Sequence, residues 1–244
     1  MKYFGLIGER LDYSFSKDYF EKKFAKEGIK DCRYDSYEIP SIEDFPDLIR
    51  SHEFSGLNVT IPYKEQIIPY LDELDEAAKS IGAVNTITFD GSHLKGYNTD
   101  ILGFEASLIE LLDSKTIEQA MVLGTGGAYK AIQYVLKKLG IQVLVVSRKN
   151  GDIQYDKLDK TIIKASRLIV NCTPLGTFPK TKECPPIPYE HIGQEHLLYD
   201  LVYNPEKSLF LERGERRGCK IMNGLPMLIG QAETAWSIWN KQQL

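Results

Sequence analysis

Cysteine is scarce and scattered in this chain. Cys32, Cys172, Cys184 and Cys219 form no C-x-x-C pair, so neither a disulfide framework nor a cysteine zinc site organises the fold. No apolar run approaches the length of a membrane span. Met1 to Gly8 enter a strand pattern directly, with no signal-peptide h-region. A reducing, cytoplasmic setting without a membrane partner is expected. The formal net charge is −4, and the basic residues form no long block, which argues against a nucleic-acid partner. An anionic small molecule would have to be captured by local groups. Internal repeats and low-complexity stretches are also missing.

What is present is an ordinary globular composition, 43% hydrophobic and 26% charged over 244 residues. That length suits one large domain or two small ones. Strand and helix patterns alternate, the signature of an α/β fold. Strands are predicted at 3–7, 32–39, 56–61, 83–89, 93–96, 120–123, 143–146, 168–171, 197–201 and 220–222. Helices are predicted at 17–27, 42–51, 65–71, 73–81, 129–139 and 226–239, with another following Asp100 through Phe104, Leu108 and Leu111. Asp90-Gly91 reads as a hairpin turn. A new strand–helix series begins near Glu118.

The segment Asn58-Val59-Thr60-Ile61-Pro62-Tyr63-Lys64 breaks the pattern of a buried strand. Asn58, Thr60 and Lys64 are polar where a core strand is apolar, and Pro62 cannot donate to a sheet ladder. This predicts a strand carboxyl end that delivers two hydrogen-bonding side chains and an amine to one rim, where open α/β sheets bind ligands. Asn98-Thr99-Asp100 offers a carboxylate as partner for the lysine. Two readings stand for several of these residues taken singly. Lys64 also reads as a solvated residue at a helix start, and Asp100 as an N-cap. Asn85 suits a structural amide as well as a ligand contact. Ser14 and Ser16 are spaced to bind a carboxylate together, while Ser16 alone suits the N-cap of the next helix. Their joint appearance favours a site.

Strand, then Gly124-Thr125-Gly126-Gly127-Ala128, then helix is the context of a dinucleotide fingerprint. The glycines permit a tight turn and close approach of a pyrophosphate to a helix N-terminus. Tyr129 occupies the third glycine position, with Ala128 and Ala131 left to supply close packing. The next strand runs into Ser147-Arg148-Lys149, with no acid until Asp152. A hydroxyl and two cations suit a 2′-phosphate, so the expected cofactor is NADP rather than NAD.

With these pieces in order, the chain resembles the shikimate dehydrogenase family. The resemblance rests on Ser14-Phe15-Ser16, the segment from Asn58 to Lys64, Gly82-Ala83-Val84-Asn85-Thr86, Gly96-Tyr97-Asn98-Thr99-Asp100 and the glycine turn. Later matches are Asn171-Cys172-Thr173-Pro174-Leu175-Gly176 and the run from Gly224 to Ala232. The resemblance implies a two-domain α/β protein. A discontinuous substrate-binding and catalytic domain, 1–101 plus 225–244, would be joined to an NADP-binding Rossmann-like domain with a parallel sheet, 102–224. It implies reversible NADPH-dependent reduction of 3-dehydroshikimate to shikimate, towards aromatic amino acids. Nothing in the chain decides between a monomer and a homodimer. It assigns Lys64 and Asp100 to catalysis. Ser14, Ser16, Asn58, Thr60, Asn85, Tyr203 and Gln231, with Lys64 and Asp100, would bind substrate. Gly124, Thr125, Gly126, Gly127, Ala128, Ser147, Arg148, Lys149, Thr173 and Gly224 would bind cofactor. Asn223 departs from the family's usual aspartate. Rival readings are an NAD-linked quinate enzyme, a folate-linked methylene dehydrogenase and a non-catalytic sensor of shikimate or NADP.

Overall fold

Phe4 and Leu6 leave the first strand towards one apolar cluster, and Ile7 leaves it towards another. Side chains alternate across a strand, so a sheet with such a strand must be covered on both faces. The computed structural model describes residues 1–11 and 15–241. They divide into two units, one of residues 1–99 and 231–244 and the other of residues 100–230.

The first unit contains β1 (Lys2–Gly8), α1 (Phe15–Glu27), β2 (Cys32–Glu38), α2 (Phe45–Ser51), β3 (Phe54–Val59), α3 (Tyr63–Gln66), β4 (Glu73–Leu74), α4 (Glu76–Ile81), β5 (Thr86–Asp90) and β6 (His93–Tyr97). Its sheet has the order β2-β1-β3-β5-β6-β4. β1 runs parallel to β2 and β3, and β5 antiparallel to β3 and β6. One face is covered by Phe45, Tyr63 and Ala78. The other is covered by Phe20 and Phe24 of α1 and by Ala235 and Trp239 near the carboxyl end of the chain.

The second unit contains α5 (Asp100–Leu112), β7 (Gln119–Leu123), α6 (Tyr129–Lys138), β8 (Gln142–Val146), α7 (Lys160–Ala165), β9 (Leu168–Asn171), β10 (Leu197–Asp200), α8 (Leu209–Glu215) and β11 (Lys220–Met222). The last helix, α9 (Leu225–Trp239), begins in this unit and ends in the first. The sheet order is β11-β10-β9-β7-β8, all parallel. Read from β8, this is the 2-1-3-4-5 order of doubly wound folds, with its switch point between β7 and β9.

Several expectations need correction. Ser16 lies inside the first turn of α1, so it does not precede the helix as an N-cap. The predicted helix 73–81 is two elements. Glu73 and Leu74 pair with Lys95 and Gly96, and the Asp75 carboxylate then caps α4 by accepting from Ala77 and Ala78. β3 ends at Val59, which leaves Thr60 and Ile61 outside the ladder. The helix at Asp100 groups with the second unit. The short helices α7 and α8 lie in stretches for which no helix was predicted. Among the described residues no helix is long and apolar enough to cross a membrane, and no His/Cys/Asp/Glu cluster suits a metal ion.

Candidate active site

In the first unit the polar residues gather at the carboxyl end of β3. The Thr60 N–H donates to the Ile7 carbonyl at 3.0 Å. A Cβ on Gly8 would come within 2.8 Å of the Thr60 methyl, so Gly8 lets β1 end beside Thr60. Lys64 is half-buried in the single turn α3, and its carbonyl accepts the Val84 N–H at 2.7 Å. That bond ties the lysine's backbone to the stretch that leads into β5.

A chain of side-chain hydrogen bonds runs beneath this rim. Ser16 bonds the hydroxyl of buried Tyr34. Burial raises the Tyr34 phenol far above its usual range, while the Ser16 bond opposes that shift. Tyr34 donates to Asn58 Oδ1 at 2.8 Å. Asn58 Nδ2 donates to Thr86 Oγ1 at 3.0 Å and to the Asn85 carbonyl at 3.1 Å. Thr86 Oγ1 donates to Asn85 Oδ1 at 3.2 Å. Asn85 Oδ1 also accepts the Thr99 N–H at 2.8 Å and the Thr99 hydroxyl at 3.2 Å. Asn98 is anchored separately, with Nδ2 on the Ala83 carbonyl at 2.9 Å. Asn58 and Asn85 are therefore wired into the scaffold, as buried amides require. Gln231 is half-buried on α9. Ser14 lies outside the described residues.

In the second unit Asp100 is the first residue of α5 and only 2% exposed. The glycine turn stands at the switch point of the sheet, where Leu123 pairs with Asn171. Gly124 has φ +88°, and a Cβ there would lie 2.6 Å from the Thr173 methyl. A residue with a side chain is thus excluded on two grounds, backbone conformation and space. Thr125, Gly126 and Gly127 are exposed ahead of Ala128, the N-cap of α6. This is an open backbone cradle of the kind that takes a pyrophosphate, so the residues fit a dinucleotide. The buried Ser147 oxygen accepts the N–H groups of Lys149 and Asn150, each at 3.3 Å, and shapes the loop after β8. Arg148 and Lys149 are exposed there. Asp152, the nearest acid, turns back to accept the Val145 N–H at 2.8 Å.

Thr173 is held by Asn171 Oδ1, which accepts its N–H at 3.0 Å and its hydroxyl at 2.6 Å. Tyr203 is 36% exposed, and burial of the remainder raises its phenol pKa. Gly224 is buried, and a Cβ there would lie 2.2 Å from the Leu201 carbonyl oxygen. Asn223 Oδ1 accepts the Leu225 N–H at 3.1 Å, a capping bond at the start of α9.

Tyr34 and Asp200 are supporting residues outside the sequence motifs named above. The legible signal for Asp200 was a carboxylate ending the apolar run Leu197-Leu198-Tyr199. Burial pushes its pKa up to about 6 against bonds from Ser208, Val202 and Asn171.

A sheet rim crowded with amides and hydroxyls in one unit and a dinucleotide cradle in the other define a class, the two-unit α/β oxidoreductases that use a nicotinamide dinucleotide. Comparison with known proteins narrows this. The profile of the shikimate dehydrogenase substrate binding domain matches residues 6–87. The chain is 37% identical to the NADP(+) shikimate dehydrogenase of Clostridium beijerinckii, over 100% of this chain and 94% of that protein. The shikimate 5-dehydrogenase of Thermus thermophilus, solved with NADP(H) and shikimate, superposes with TM-score 0.83 at 29% identity and covers 99% of this chain and 94% of its own. The quinate dehydrogenase of Corynebacterium glutamicum, solved with NAD, superposes with TM-score 0.88 at 26% identity over 98% and 94%. The chain belongs to the shikimate dehydrogenase family.

Proposed function

We propose that this chain catalyses the reversible NADPH-dependent reduction of 3-dehydroshikimate to shikimate, a step towards aromatic amino acids. The observation that carries the reading is the hydrogen-bonded chain from Ser16 through Tyr34, Asn58, Thr86 and Asn85 to Thr99. It holds a rim of amides and hydroxyls in place, as recognition of a polyhydroxy acid demands. In this reading residues 1–101 and 225–244 bind substrate, and 102–224 bind NADP.

When bound, the reduced nicotinamide supplies a hydride to the ketone carbon. Lys64 as ammonium stabilises the oxygen that gains charge and gives it a proton, which completes the alcohol. Asp100 supplies the carboxylate of the catalytic pair. Ser14 and Ser16 take the substrate carboxylate, and Asn58, Thr60, Asn85, Tyr203 and Gln231 are further substrate-binding residues. The glycine turn, Thr173 and Gly224 hold the dinucleotide, and Ser147, Arg148 and Lys149 select the 2′-phosphate. The four cysteines are free thiols, which suits a cytoplasmic enzyme. Its partners are small molecules.

Turnover tests the reading directly. NADPH oxidation is followed with 3-dehydroshikimate, and NADP+ and NAD+ reduction with shikimate and with quinate. Activity with NADP+ and shikimate is expected. Binding without turnover would make the chain a sensor. In Lys64→Ala, kcat should fall by about 10²–10⁴-fold; an unchanged kcat would remove Lys64 from the chemistry.

A further inference from the structure

The fully buried carboxylate of Asp200 closes β10, beside Asn171 in the sheet register. It accepts three hydrogen bonds and sits at the junction of three loops. The first arm leads to the glycine turn. Asn171 Nδ2 donates to Asp200 Oδ1 at 2.9 Å. This fixes which end of the Asn171 amide faces the other way, and its Oδ1 then accepts both polar groups of Thr173. The Thr173 methyl in turn fills the space above Gly124. Were the amide reversed, its N–H groups would face the Thr173 N–H, donor against donor. The second arm leads to the loop that carries Tyr203. The Val202 N–H donates to Asp200 Oδ1 at 3.0 Å, and the Val202 carbonyl accepts the Gly224 N–H at 3.2 Å. The third arm is the Ser208 hydroxyl, which donates to Asp200 Oδ2 while its oxygen caps α8 through the Leu211 N–H.

Resting on the NADP-binding role given to this unit above, we infer that Asp200 is a positioning residue for the cofactor. By orienting Asn171 and Val202 it sets the shapes of the Gly124 turn and of the Gly224 segment. Asp200 does not itself touch the cofactor in this account. An acceptor oxygen is needed at this point because Asn171 and Val202 both present donors to Oδ1, and leaving buried donors unmatched releases the loops they hold.

The test measures NADP+ affinity by titration calorimetry, with no turnover involved. Asp200→Leu should bind NADP+ about tenfold or more weakly. Asp200→Asn should restore affinity to within about threefold, since its oxygen can accept from Asn171 and Val202 and its amide can donate to the Ser208 oxygen. Ser208→Ala breaks only the third arm, so it should lower Tm and leave affinity unchanged. Asn171→Leu should weaken binding like Asp200→Leu, and the double variant should be no weaker than either single one. In spectra of the free protein, the Thr173 and Gly124 amide resonances should move in Asp200→Leu and stay in Ser208→Ala. If Asp200→Leu does not fold, Asn171→Leu carries the same comparison. Wild-type affinity in a folded Asp200→Leu, or additive losses in the double variant, would overturn the inference. A wild-type chain that fails to bind NADP+ would instead overturn the proposed function, and the amide resonances would still decide whether Asp200 shapes the turn.

Discussion

The Asn85 side-chain oxygen accepts the Thr99 backbone N–H at 2.8 Å, and both residues are almost fully buried. One side chain thereby joins the entrance of β5 to the residue that precedes Asp100. Asn85→Ala leaves the Thr99 N–H without this acceptor and should cost about 1–3 kcal/mol of stability. Urea unfolding of the two proteins measures it. A loss below about 0.5 kcal/mol would mean that water replaces the amide at this point.

Gly56 makes room for an indole. A Cβ on Gly56 would lie 2.2 Å from Trp239 Nε1, the atom that donates to the Ile87 carbonyl at 3.0 Å. Gly56→Ala must therefore push the ring off its hydrogen bond, at a cost of about 1–3 kcal/mol for an overpacked core. The chain has two tryptophans, so a red shift in fluorescence with a lower Tm reports the displacement. An unshifted spectrum at unchanged Tm would show that the ring adapts in place.

Glu233 on α9 ties that helix to α1 by accepting from the Tyr19 hydroxyl and from Lys23 Nζ, the latter at 2.9 Å. Burial pushes the Glu233 pKa up, but the Tyr19 and Lys23 bonds outweigh it and hold the carboxyl below its ordinary value. A depressed carboxyl pKa contributes stability that is present above the unfolded-state value and lost as pH falls through the folded one. Wild type should therefore be more stable than Glu233→Gln at pH 7, and the gap should close on acidification below about 4.5. Thermal unfolding of both proteins from pH 7 to pH 3 reads this out. A gap that stays constant with pH would mean that the tether is not ionic.

Gly124→Ala tests the cradle. The positive φ and the Thr173 methyl both oppose a side chain there, so NADP+ affinity should drop by at least about tenfold. Calorimetric titration gives the number. Unaltered affinity would show that the turn does not hold the dinucleotide.

Legibility followed the range of the forces involved. The strands Leu168–Asn171 and Lys220–Met222 were read to the residue, because apolar runs bounded by turn residues are local signals. Glu73-Leu74 was misread as helix because a two-residue strand exists only through its partner β6, which the local pattern does not name. Ser16 looked like a cap because its neighbours suit one, but helix α1 starts earlier and its hydroxyl goes to Tyr34, eighteen residues on. Tyr34 and Asp200 escaped notice as site-supporting residues because each acts through side chains distant in sequence.

The amino-acid sequence by itself determined the α/β class, the glycine turn and the order of the polar motifs, since periodicity, turn chemistry and motif order are properties of neighbouring residues. Only the tertiary structure decided which atoms those motifs spend on one another. Asn58 and Asn85 carry the scaffold as well as the rim, and Thr173 leans on Gly124 because Asn171 and Asp200 hold it there. Buried donors must find acceptors wherever the fold brings them, and that pairing is set by strand register and loop packing rather than by spacing along the chain.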